Sequence, residues 1–255
     1  MKAIGLRSLS IVLLVGTLWG CAGKQEPARF EVTAVEPGKQ DKEIEALVAP
    51  YKAEVDKLRL PIGRSSVEMS REKTDSPIGS WVADALRAQT EVATGRKVDV
   101  LMLNGGGIRN SLPKGDISYM TINNILPFEN TVVLYEYSGT QLQTMAELLA
   151  SRRGADPISG LTIDATADYK LNRALVNGEP IDPNRRYTFA TISFLAQGNS
   201  GFGILTKDPH VDTGLLMRDL VADHVRAETK QGRTIDMPAE PYRYRFGGKT
   251  VKEIQ

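Results

Sequence analysis

Residues 104–109 read NGGGIR and directly follow the apolar stretch 98–103. Gly105, Gly106 and Gly107 can each take φ > 0 and let a ligand approach a backbone N–H, while the guanidinium of Arg109 offers a fork to phosphate or carboxylate oxygens. That is anion-binding chemistry. The run matches neither the Walker pattern nor the dinucleotide fingerprint, and taken alone a glycine cluster after a strand is more often a tight turn. Two further segments set an aromatic residue beside polar or glycine-rich sequence: PFEN (127–130) with Phe128, and SFLAQGNSGFG (193–203) with Phe194. Rings exposed at such places stack on flat ligands, and rings buried there fill core.

Taken in order, SPIGSWVADALR (76–87), NGGGIR, PFEN and SFLAQGNSGFG, followed by a hairpin and a helix, resemble the C-terminal, substrate-binding domain of the bacterial 5'-nucleotidase and UDP-sugar hydrolase family. The resemblance runs from about Arg64 to Phe246. It implies that Phe128 and Phe194 clamp the base of a substrate, that Asn130 contacts the base, and that Arg109 binds a phosphate or a carboxylate-like group beside Gly105, Gly106 and Gly107. Arg71 is similar to a second anion-binding arginine, although its spacing to the following helix differs by one residue, and Arg64 is a more distant third. For Arg71 and Arg64 the alternative is a solvated surface cation. Ser200 stands where the family carries an aspartate that grips ribose hydroxyls. Its hydroxyl can bond a sugar, without the charge assistance that roughly doubles such a bond.

In that family, hydrolysis belongs to a separate N-terminal domain holding two metal ions and a catalytic histidine. This chain has two histidines, His210 and His224, no GNH or GHxH segment and no glycine-framed cluster of carboxylates. The expectation is therefore no catalytic residue, no metal site and no cofactor here, with divalent metals confined to a partner domain. The implied function is the nucleotide-binding half of a 5'-nucleotidase-like hydrolase of nucleotide catabolism or salvage, inactive alone and working with a separately encoded metallophosphatase domain. The alternatives are a non-catalytic nucleotide- or nucleoside-binding lipoprotein for scavenging or sensing, and a structural envelope lipoprotein.

The start of the chain speaks to location. Lys2 and Arg7 precede an apolar run too short to span a bilayer, and Cys21 follows Leu18, Trp19 and Gly20. This resembles a bacterial lipoprotein signal over 1–20. Cys21 is the only cysteine, so no internal disulfide can form, and lipidation explains its place. The expected location is the cell envelope, anchored by lipid on the periplasmic side of the outer membrane. Residues 21–41, with Pro27, Pro37 and Gly38, read as a flexible tether.

Without Lys2 and Arg7 the net charge falls from +1 to −1, and basic residues are interleaved with acidic ones, so no nucleic-acid surface is indicated. Residues 42–255 are expected to form one domain, enough for one sizeable core. Lys42 to Leu60 predicts a helix kinked or broken at Pro50, and Ser76-Pro77 opens a helix that Gly95 stops. Val98 to Leu103 and Thr131 to Tyr137 predict strands, and a helix follows over Leu142 to Leu149. Strands over Leu161 to Asp164 and Leu171 to Asp182 come next, with Asn177-Gly178 as a two-residue turn. A strand over Tyr187 to Ser193, a long helix over Thr213 to Lys230 and a strand over Tyr242 to Phe246 complete the reading. Without a regular βαβ alternation this is an α+β fold, a mixed sheet sandwiched with helices.

Overall fold

The computed structural model describes residues 42–254; the signal expected over 1–20, Cys21 and the tether expected over 21–41 lie outside the described residues. In chain order come α1 (Lys42–Leu58), β1 (Pro61–Ser65), α2 (Pro77–Thr94), β2 (Val100–Met102), β3 (Gly115–Ser118) and α3 (Tyr119–Ile125). Then follow β4 (Thr131–Ser138), α4 (Gly139–Ser151), β5 (Ile158–Ser159), β6 (Leu161–Ala165), β7 (Leu171–Val176) and β8 (Glu179–Pro180). The chain closes with β9 (Arg186–Ile192), α5 (Ser193–Ala196), β10 (His210–Leu216), α6 (Met217–Lys230), β11 (Tyr244–Phe246), β12 (Lys249–Thr250) and α7 (Val251–Ile254).

The strands form two five-stranded mixed sheets, ordered β10-β4-β9-β2-β5 and β12-β11-β6-β7-β8, and a small β1-β3 ribbon. Helix α4 touches β4 and β9 of the first sheet and β6 and β7 of the second, so its buried Leu142, Met145, Ala146 and Leu149 serve both. Helices α2 and α6 pack on one another, and α2 also covers β2 and β5. The result is the α+β fold that the sequence implies.

Local chemistry explains several boundaries. The Ser76 hydroxyl accepts the Gly79 N–H at 3.3 Å, Pro77 needs no N–H partner in the first turn, and Gly95 ends α2 at φ 67°, its N–H donating to Glu91 C=O at 2.9 Å. Ile78, Trp81, Val82, Ala85 and Leu86 form the buried face of α2, as their spacing predicts. Asn177 and Gly178 both have positive φ, the requirement of the tight turn that joins β7 to β8. In the first sheet, Tyr137 of β4 stacks on Phe189 of β9 with ring centroids 5.1 Å apart.

Other expectations are corrected. Helix α1 runs through Pro50 without ending, and none of its residues is buried. The expected helix over Thr213 to Lys230 begins only at Met217, and the preceding residues belong to β10. Gly214 at φ 70° interrupts helical geometry, and Thr213 spends its hydroxyl on Val132 C=O of β4 at 2.8 Å. The strand expected over Tyr187 to Ser193 ends at Ile192, and Ser193 and Phe194 open α5.

One buried carboxylate closes the fold. Asp75, 2% exposed, accepts the backbone N–H groups of Arg243 and Tyr244 on Oδ2, while Oδ1 has no hydrogen-bond partner. It thereby ties the residues leading into β11 to the start of α2. Burial raises its pKa from 3.8 to about 7, against the two N–H donors that lower it. Between those values the folded chain keeps a proton that the unfolded chain releases, so this group's contribution to stability falls as pH rises through the window and is flat beyond it. At about 1.4 kcal/mol for each tenfold change in proton affinity, the loss is on the order of a few kcal/mol. Urea unfolding near pH 4.5 and pH 7.5 should show the wild type losing stability relative to Asp75→Asn at the higher pH. An unchanged difference would remove Asp75 as the source.

Candidate functional site

Strand register assembles the site. Strand β9 lies antiparallel to β4, pairing Ile192 with Val132 and Ala190 with Leu134, and parallel to β2, pairing Ala190 with Leu101. The segments after β2, before β4 and after β9 therefore leave these three central strands at the same end. These are NGGGIR, PFEN and the stretch beginning Ser193-Phe194. Two hydroxyls fasten them there: Ser193 Oγ accepts the Thr131 N–H at 3.1 Å, and Thr191 Oγ donates to Met102 C=O at 2.9 Å.

Asn104, Gly106, Gly107, Phe128, Asn130 and Phe194 line a single cleft of about 210 Å³. Phe128 is 47% exposed and Phe194 37%, so neither ring is core. Of the nine residues expected to bind substrate, five meet at this cleft: Gly106, Gly107, Phe128, Asn130 and Phe194. Asn104 is the residue that sequence reasoning missed. It opens the glycine run, and its buried Oδ1 has no hydrogen-bond partner. The signal lay in the type of the residue, since an amide heading a ligand loop offers both donor and acceptor.

The glycines are needed for a different reason from the one expected. None of Gly105, Gly106 and Gly107 has positive φ; they form one turn of 3₁₀ helix. Space explains two of them. A Cβ on Gly105 would meet Ala155 C=O at 2.4 Å and one on Gly107 would meet Asn104 Oδ1 at 3.0 Å, whereas one on Gly106 would meet nothing nearer than 3.6 Å. The backbone is largely committed too: Gly105 N–H donates to Ala155 C=O at 3.2 Å and Gly107 N–H to Asn104 C=O at 3.0 Å. Among the described residues only the Gly106 N–H of the three makes no hydrogen bond, so the turn presents one free amide in place of a cradle of three.

The arginines divide. Arg109 is exposed, its backbone N–H donates to Ile125 C=O at 2.8 Å, and its Nη1 donates to Gly106 C=O at 3.1 Å, which folds the guanidinium back over the glycine turn. Arg71, exposed as well, donates from Nε to Ile108 C=O at 2.6 Å and from its backbone N–H to Ser111 Oγ at 2.8 Å. Both cations are therefore fastened to the NGGGIR loop without lining the cleft. Arg64 sits on β1 in an exposed ion pair with Asp116 at 3.3 Å. Ser200 is exposed at φ 55°, in a turn whose neighbour Phe202 lies under the Arg152 guanidinium at 4.4 Å. It does not line the cleft.

Neither histidine approaches it. His210 opens β10 with its ring 5.0 Å from Tyr135, and His224 on α6 has its pKa lowered by burial. Asp208 and His210 have an Asp-x-His spacing, but His210 Nδ1 faces the Asp208 backbone C=O at 3.2 Å and the Asp208 carboxylate accepts from Gln141. Among the described residues no three His, Cys, Asp or Glu side chains converge as a metal-ligand group.

The description "5'-nucleotidase, C-terminal domain" matches residues 61–207, which include every residue lining the cleft. The chain belongs to the 5'-nucleotidase C-terminal domain family. Protein UshA of Yersinia enterocolitica is 27% identical over 194 residues, covering 73% of this chain and 34% of that protein. Protein UshA of Escherichia coli is 33% identical over 132 residues, 50% of this chain and 24% of that one. The chain thus spans about a third or less of these relatives. The 5'-nucleotidase precursor of Thermus thermophilus has the same fold, with a TM-score of 0.65 at 24% identity over 80% of this chain and 42% of its own.

In this family member the contact at Gly105 yields a paired test. Gly105→Ala must push backbone against backbone and should cost roughly 1 to 3 kcal/mol in urea unfolding, whereas Gly106→Ala should stay within about 1 kcal/mol. Equal costs would mean that the turn can shift away from Ala155.

Proposed function

We propose that the chain binds a nucleotide or nucleoside in this cleft and serves as the substrate-binding half of a 5'-nucleotidase-like hydrolase, in nucleotide catabolism or salvage. The observation that carries the reading is the pair of part-exposed rings, Phe128 and Phe194, lining one cleft with the amides of Asn104 and Asn130. Stacking a base on an aromatic ring is worth about 1 to 3 kcal/mol. Leaving a buried acceptor such as Asn104 Oδ1 unpaired costs about 1 to 3 kcal/mol, which an N–H on the edge of a base would recover. A phosphate beyond the base would meet the Gly106 N–H and the guanidinium of Arg109, with Arg71 held to the same loop.

Hydrolysis on this reading belongs to a separately encoded metallophosphatase domain, which would hold the divalent metals. Cys21 would carry the lipid that keeps the protein in the cell envelope, on the periplasmic side of the outer membrane. Mature protein should therefore partition into detergent, and Cys21→Ser should release it or block maturation.

The purified chain without Cys21 should turn over no nucleotide in any divalent metal, and activity that follows the protein through repurification would overturn the division of labour. For the site itself, calorimetry should show Arg109→Ala weakening nucleotides more than nucleosides and Phe194→Ala weakening both alike, each by about 1 to 3 kcal/mol. Equal loss of both ligand types on Arg109→Ala would place the anion elsewhere, and no loss with either variant would leave NGGGIR a structural turn.

A further inference from the structure

Phe128 lies in the irregular segment between α3 and β4 and is too exposed for packing alone to fix it. What holds its backbone comes from the first two residues of α6. The Met217 N–H donates to Asn130 C=O at 2.9 Å, just past the ring. Arg218, with a side chain 12% exposed, reaches the segment just before it. Its Nη1 donates to Asn123 Oδ1 at 2.8 Å and to Pro127 C=O at 3.4 Å, and its Nη2 lies 3.9 Å from the Glu129 carboxylate. Its Nε donates to Tyr119 Oη at 3.1 Å, and that hydroxyl in turn donates to Asp219 Oδ1 at 2.5 Å. The guanidinium thus bridges α3 to the residues on both sides of Phe128.

The geometry points to Arg218 as a positioning residue for the base-binding wall of the cleft, acting through Phe128 and Asn130 without lining the cleft itself. The inference rests on the function proposed above. Several acceptors spread around one planar group suit a guanidinium; an ammonium or an amide holds fewer of them at once. Once the fork is lost, the segment can rotate, and the ring no longer meets a base at a fixed angle. The phosphate end, on NGGGIR, makes no direct bond to the guanidinium of Arg218; its own tie to α3 is the Arg109 N–H on Ile125 C=O. Arg218 should therefore govern affinity for the base and leave the added affinity of a phosphate unchanged.

The test is a double-mutant cycle read by calorimetry with adenosine and AMP as probes. Arg218→Gln should weaken both about tenfold and leave their ratio unchanged, with Arg218→Lys between it and the wild type. In a Phe128→Ala background the same substitution should change affinity less than about twofold. Hydrogen exchange of the amides over 128–130 should quicken in Arg218→Gln, while protection in β4 and β9 stays as in the wild type. A tenfold loss in both backgrounds, or wild-type affinity in Arg218→Gln, would overturn the assignment. If Arg218→Gln fails to fold, Arg218→Lys carries the same cycle. If the wild type binds neither probe, the proposed function falls and this inference falls with it.

Discussion

The parallel pairing of β2 with β9 and the antiparallel pairing of β9 with β4 bring three loops together at one end of the central strands, and the cleft depends on that register. A slip of one residue between β4 and β9 would turn every side chain of β4 to the other face. Tyr137 would leave its stack with Phe189, and Thr131 would lose the N–H bond to Ser193 that sets Asn130 and Phe194 at the same cleft. Burial on both faces makes such a slip expensive, because Val132, Val133, Leu134 and Tyr135 are all interior. The buried strands are what hold the exposed rings at fixed positions.

Outside the sheet, the turn after α4 secures two of the loops. Ala155 C=O receives the Gly105 N–H and leaves no space for a side chain there, while Pro157 C=O receives the Leu103 N–H at 2.8 Å. In the same turn Arg152 pairs with the buried Asp156 and covers Phe202, the residue that closes the loop bearing Ser200. Tyr244 joins through its hydroxyl, which donates to Asp156 C=O at 2.7 Å, and its backbone N–H reaches Asp75. A single short segment therefore links the glycine turn, the Ser200 loop and the end of the chain, and a disturbance at any one of them reaches the others through packed atoms.

How much could be read in advance differs with the range of the forces involved. The caps of α2 and the Asn177-Gly178 turn are set by residues within four positions of one another, and both were legible. The edge strand β10 was not, since its residues 211–213 alternate poorly and only their bonds to β4 make them a strand. The ordered set NGGGIR, PFEN and SFLAQGNSGFG revealed five lining residues, because those motifs sit at chain positions that the sheet brings together. The reason for the glycines was hidden: sequence shows a missing side chain, and the carbonyl of Ala155 that requires its absence is fifty residues away. For the same reason Arg218 could not be read as a partner of PFEN, since its acceptors lie about 90 or more residues earlier in the chain.

Folded proteins satisfy nearly all their buried polar groups, so the exceptions carry information. Among the described residues three such side-chain atoms are left without a partner: Asp75 Oδ1, Asn104 Oδ1 and Tyr137 Oη. Asp75 is offset locally by the two N–H groups on its other oxygen, and Tyr137 by a ring stack inside the sheet. Tyr137 lines a separate cavity with Gln141, Met145, Ile204 and Asp208, where neither of the half-open rings lies. Asn104 differs because it lines the same cleft as two half-open phenylalanines. An unpaired acceptor costs stability and so do exposed rings, and a flat ligand with an N–H on its edge would relieve both at once. The convergence of these two costs on one cleft, where the strand register fixes both, singles it out from the other cavities of the fold.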